Sequence, residues 1–220
     1  MNVGFARTML GELEDAVEIL ERTEAECARL GLWAIGLTAR QNRGFARYCQ
    51  GRLDEAEADE SDVVARATER SAPRILTLAR RCRALVALAR GDAERAIDEA
   101  RLAVEGSPDG PVRMASLAVH ADALAAAGRL DEARLAIDEA LAYLERGSGA
   151  AFVGDLTLRC AHVAVLETAG DVAGARAALQ KAKAMMDERM AAMSPPRRRS
   201  YAERVPDAKR VTAAWERLMR

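Results

Sequence analysis

Aromatic side chains are scarce in this 220-residue chain: three Phe, three Tyr and two Trp make up 4% of it. Half of the residues are nevertheless hydrophobic, so the apolar material is mostly Ala, Leu and Val. Ala and Leu are strong helix formers, and small Ala lets helices approach closely. Only six prolines interrupt the chain, and no run alternates apolar and polar residues long enough for a half-buried strand. There is no apolar run of about 18 residues and no signal-peptide pattern, so neither membrane spanning nor secretion is expected, and a cytoplasmic protein is. Met1 leads directly into helix-like sequence. This raises the expectation that the chain begins inside a longer protein.

Reactive groups are equally sparse. The four cysteines, Cys27, Cys49, Cys82 and Cys160, show no CxxC or other ligand spacing and read as buried, reduced thiols. The two histidines, His120 and His162, stand apart from any Cys or carboxylate at metal-ligand spacing. Neither GxxxxGK nor GxSxG occurs, and the glycines of "GSGAAFVGD" have no preceding strand and no lysine. No catalytic constellation, metal site or cofactor is therefore expected, and the chain does not read as an enzyme. The 33 basic and 34 acidic residues leave a net charge of −1, unlike a general polyanion binder.

The chain does hold a repeated phrase. "GFARTMLGELEDA" at 4–16 returns as "GFARYCQGRLDEA" at 44–56. The glycines Gly11, Gly51, Gly91, Gly128 and Gly170 are 40, 40, 37 and 42 residues apart. A period near forty marks a solenoid of supersecondary units. In each unit an apolar-periodic helix A runs to the Gly, which can take the left-handed conformation that ends a helix. Acidic residues generally follow, suiting the positive start of helix B. An Ala stands five residues past each Gly: Ala16, Ala56, Ala96, Ala133 and Ala175. Apolar positions such as Leu20, Ile137 and Leu179 continue the helix-B stripe.

The predicted helix pairs are 1–10/12–30, 33–50/53–70, 72–90/92–105, 111–127/130–146 and 151–169/172–193. The segments 106–111 and 147–154 read as loops, and "SPP" at 194–196 as the break of the last long helix. A basic linker and capping element then fills 194–220, with a final helix near Asp207–Leu218. Its Val211, Ala214, Trp215 and Leu218 recur at helical spacing and would cover the last repeat. No corresponding cap is visible at the N-terminal end.

With its small helix-A residues at Gly4, Gly44, Ala84 and Ala121, the turn Gly and the helix-B Ala, the set resembles tetratricopeptide repeats (TPRs) of a long type. The period exceeds the usual figure of about 34. The array is similar to the TPR regions of maltose-regulator-type signal-transduction ATPases and to those C-terminal to bacterial serine/threonine kinases. "RRRSYAERVPDAKRV" resembles the segment closing kinase-linked arrays. The resemblance implies an all-α, right-handed superhelical solenoid of about five repeats (1–30, 33–70, 72–105, 111–146 and 151–193, together 1–193) plus the C-terminal capping helix. It also implies a non-catalytic protein-interaction scaffold, the sensor or docking arm of a bacterial signalling protein.

In such arrays helix A lines a concave groove that holds extended peptides or helices. Counting back from each turn Gly places Thr38, Gln41, Phe45, Tyr48 and Cys49 on that face, then Arg81, Leu85 and Leu88 with Leu78. Asp122 follows with Ala115, Ala118 and Ala125, and Thr157, Cys160, Ala164 and Glu167 complete the series. The site reading is Thr38, Gln41, Phe45, Tyr48, Arg81, Leu85, Leu88 and Asp122, an apolar groove with Arg81 as polar anchor. The other reading is that these side chains pack on neighbouring helices or a capping element. Asn42 alone fits the Asn/Lys clamp of chaperone-binding TPRs, and Phe5 and Phe45 stand where an Asn is needed, so chaperone binding is not assigned. The expected partner is a protein or peptide, or a domain of the same longer polypeptide, with self-association through the N-terminal repeat as an accompaniment. A small molecule closed into the groove is the alternative. The tail from Ser194 carries eight Lys and Arg against three acids, a net +5 against −6 for the rest. It reads as a capping helix with solvated arginines, as a dock for an acidic surface, or, least readily, as a phosphate contact.

Overall fold

The computed structural model describes residues 2–108, 110–145 and 154–219. Among these residues the chain forms twelve helices. Five pairs come first: α1 Asn2–Met9 with α2 Leu13–Arg29, α3 Trp33–Cys49 with α4 Leu53–Glu69, α5 Pro73–Ala89 with α6 Ala93–Glu105, α7 Pro111–Ala126 with α8 Leu130–Glu145, and α9 Asp155–Thr168 with α10 Val172–Ala191. Two shorter helices follow, α11 Pro195–Arg204 and α12 Pro206–Leu218. The fold is all-α, a TPR-like helical-repeat solenoid. The first helices α1, α3, α5, α7 and α9 pack side by side, and each also packs on its own partner.

Every pair closes by the same chemistry. Gly11, Gly51, Gly91, Gly128 and Gly170 all have φ between 76° and 78°. The amide after each Gly donates to the carbonyl four residues before that Gly, at 2.9 Å in all five turns. That bond satisfies an orphan carbonyl at the end of helix A and needs the left-handed residue. The five alanines that follow are completely buried, which brings the two helices of each pair into close contact. The segment 147–153, expected as a loop, lies outside the described residues, as does residue 109.

The tail departs from the expected linker. Pro195 does not merely break α10; it opens α11, because a Pro at the first helical turn lacks only an N–H that would have no partner there. Val205 is extended before Pro206, which opens α12 in the same way. Tyr201, Val205, Ala208, Val211 and Ala214 are buried with Leu156, Leu179 and Met186 of the last pair. Four of the tail's arginines meet acids of the array, although the run Arg197, Arg198 and Arg199 stays exposed. Arg197 pairs with Glu12 at 2.8 Å and Arg204 with Glu14. Ser200 donates to the Gly11 carbonyl at 2.9 Å. The tail thus reaches back to the first turn of the array, and the first repeat is engaged after all.

Candidate functional site

The repeat places one side chain of each first helix beside its equivalent in the next. Phe5 and Phe45 lie 6.4 Å apart between ring centroids, and Tyr48 stacks on Phe45 at 6.0 Å. Phe5 and Phe45 form one flank of a chamber of about 790 Å³. Thr38, Gln41, Phe45, Arg81 and Leu85 all line it, joined by Ile75 and Leu78. Five of the eight sequence-predicted residues therefore share one space. Tyr48 contributes through its stacking on Phe45, and burial pushes its hydroxyl pKa up. Leu88 packs instead against buried Ala84, Ala100 and Val119.

Asp122 has a different fate. It is buried, and Arg210 of α12 holds both its oxygens, at 2.7 and 2.8 Å. The groove at that point is occupied by the chain's own tail. Val205 and Asp207 line the same chamber as Phe45 and Arg81, so the tail forms its far wall. Thr157 donates to Asp207 at 2.6 Å, while burial pushes the Asp207 carboxyl upward. Composition and spacing carried no sign of these contacts, because the paired residues stand 50 and 88 positions apart.

A second group was missed although the repeat contained its signal. Nine residues past the turn Gly stand Leu20, Glu60, Ala100, Ile137 and Leu179. The row is apolar except at Glu60, which is completely buried. It fills the space left by Gly44, where a Cβ would lie 2.5 Å from its Oε1, as Leu20 fills the space left by Gly4. Both carboxyl oxygens lack a hydrogen bond of normal geometry, although Gln41 and Cys82 lie beside them. Burial raises the Glu60 pKa well above 4.5. The group thus sits immediately behind two residues of the chamber wall.

Chemically, the chamber offers apolar surface, amides, hydroxyls and two guanidiniums. Burial raises the Cys49 and Cys82 thiols, which suppresses the reactive thiolate. Among the described residues no three of His, Cys, Asp or Glu converge as metal ligands. No helix among them is long and apolar enough to cross a membrane.

The chain matches no family model, and no curated protein matches it in sequence. Solved structures resemble it in fold. A point-substituted form of a kinesin-light-chain-type protein of Podosopora anserina, with nearly identical TPR-like repeats, aligns at TM-score 0.61 and 18% identity, covering 87% of this chain and 94% of that one. Its counterpart without that substitution aligns at 0.59 and 19%, covering 85% and 93%. BtubC (BKLC) from P. vanneervenii aligns at 0.61 and 16%, covering 94% and 89%. At these identities the likeness establishes the TPR-like fold.

Proposed function

We propose that the chain is a non-catalytic binding module, the sensor arm of a bacterial signalling protein, and that its concave face senses a small molecule. The observation that carries this reading is the chamber between the first helices and the tail. Its volume falls within the range of about 300–1,000 Å³ that small-ligand pockets occupy. A peptide or helix running the whole length of the groove would have to displace α12, whose Arg210 already holds Asp122. A compact occupant needs no such displacement. The resemblance to the TPR arrays of kinase-linked and maltose-regulator-type proteins supports the signalling context.

A second reading, a scaffold that docks a protein partner, is favoured by one surface feature. Leu30, Leu32, Trp33 and Ile35 are each 39–51% exposed where α2 hands over to α3, and Ile35 also reaches the chamber. Native mass spectrometry of the chain purified from its own cells separates the two, with Phe45→Asp as control and circular dichroism to check its fold. A small mass retained by the wild type and absent from the folded variant supports sensing. A protein cross-linked to both, with no small mass, moves the function to the Trp33 edge. Neither species in either sample counts against both readings.

A further inference from the structure

We propose that the ligand of the chamber is a small organic monocarboxylate with an apolar body, and that Arg81 receives its carboxylate. This rests on reading the chamber as a ligand site. Arg81 is half-buried and lines the chamber, yet it forms no hydrogen bond or ion pair with any described residue. Its neighbours on α5 behave differently: Arg80 lies 3.6 Å and Arg83 2.9 Å from Glu99. Two carboxylates lie near enough for their charge to act on Arg81: Asp207, to which Thr157 already donates, and Glu60 behind the wall, which burial drives toward its neutral form. A guanidinium drawn partly out of water without a counter-ion is unfavourable. A carboxylate offers it two parallel charge-assisted hydrogen bonds, the geometry its fork matches best.

The rest of the wall sets the class further. Phe5, Phe45, Ile75, Leu78 and Leu85 give the occupant apolar contact along its length. A single interior guanidinium suits one negative charge; a phosphate dianion would ask for further donors. Arg74, seven residues earlier on the same helix, is exposed at the chamber. That separation is about 10 Å along an α-helix, so Arg74 sits where it would draw an anion inward.

The test uses the full chain and a series of ω-phenylalkanoates from phenylacetate to phenylhexanoate, each beside the matching alcohol and amine. Binding is read by titration calorimetry at low ionic strength. At least one acid is expected to bind wild type about tenfold or more tighter than its alcohol, the scale of a hydrogen-bonded charge pair. The preference should vanish in Arg81→Met and persist in part in Arg81→Lys. Arg81→Met removes a half-buried charge and should melt no lower than wild type, so loss of fold is not the expected cause. Equal binding of acid, alcohol and amine overturns the carboxylate assignment and leaves the chamber reading standing. An acid preference that survives Arg81→Met overturns the role of Arg81. Absence of binding by every compound overturns both.

Discussion

The repeats before and after α6 use the same geometry with opposite chemistry. Eight residues before the turn Gly, α3 and α5 carry Arg43 and Arg83; eight residues after it, α4 and α6 carry Asp59 and Glu99. Each arginine meets its acid, at 2.6 and 2.9 Å. In the next two repeats the same two positions hold His120 with Ala136 and His162 with Ala178. Around α3 the charges multiply: Arg40 and Arg43 both reach Glu24, and Arg47 adds Glu21 and Asp59. The apolar clusters there are small and separate: Ala16, Val17 and Ala46 in one, Leu37, Val63, Ala67 and Ala79 in the other. Around α7 the core is continuous, with Met114, Leu117, Leu124, Ile137, Leu158 and Val165 among its members. The turn Gly and the buried Ala set the fold, and the slots between them accept either an ion pair or apolar contact.

The sharpest way to break this comparison is one large deletion in each half. Leu124→Ala should cost about 2–5 kcal/mol, since Leu124 is 1% exposed and the surrounding helices can close over the void only partly. Asp59→Ala should cost about 3 kcal/mol by leaving Arg43 and Arg47 short of their shared partner. Urea denaturation measures both. Because Asp59 is only 5% exposed, its pairs are screened little, and the second loss should persist at high salt as the first does. A second loss that vanishes in high salt would mean that these pairs act as exposed surface charges.

The repeat period, the turn glycines, the close-packed alanines and the helix pairs were legible because each recurs at a fixed offset. So was the chamber flank, since Phe5, Phe45 and Leu85 hold one register position. Glu60 was legible in the same way, as the polar member of an apolar row. What could not be read was the path of the tail. Arg210 on Asp122 and Arg204 on Glu14 bridge 88 and 190 residues, and no periodicity links positions so far apart. The tail read as solvated because the acids that meet Arg197, Arg204, Arg210 and Arg217 are dispersed along the array.

Titration should separate the halves more finely. Burial lowers the pKa of His120 and His162 below 6.5, so their contribution to stability is full above 6.5 and is lost as pH falls through the folded values. Glu60 has the opposite sign. Its folded pKa is raised, so its penalty is absent below about 4.5 and grows as pH rises through the folded value. Hydrogen exchange, corrected for its intrinsic pH dependence, should therefore show α7–α10 loosening relative to α3–α4 between about pH 7.5 and 5.5. Glu60→Leu, copying Leu20 in the equivalent slot, should stabilise the first half by about 2 kcal/mol at neutral pH. The gain should shrink toward pH 4.5. A variant less stable than wild type at neutral pH would mean that Glu60 is satisfied and serves a binding role.

The smallest effect concerns the seam where the two halves meet through the tail. Gly11 and Gly51 share φ 77°, so Ala at either should cost about 1 kcal/mol for the left-handed backbone. Their surroundings differ. A Cβ at Gly51 meets nothing within 4 Å, whereas at Gly11 it would lie 2.5 Å from the Ser200 carbonyl oxygen. Backbone on both sides leaves no flexible side chain to yield. Gly11→Ala should therefore lift α11 from the first turn and raise exchange in its amides, and Gly51→Ala should not. Acid should open the same contact in the unaltered chain. Arg204 hydrogen-bonds Glu14 and holds its carboxyl down from 4.5 to about 2, so the contact is intact above 4.5 and is lost as pH falls toward 2. Glu14→Gln should erase that window while leaving the Ser200 bond to Gly11. If α11 exchanges alike in Gly11→Ala and Gly51→Ala, the tail is held by the apolar face it shares with α10, and its ion pairs to the first repeat follow from that packing.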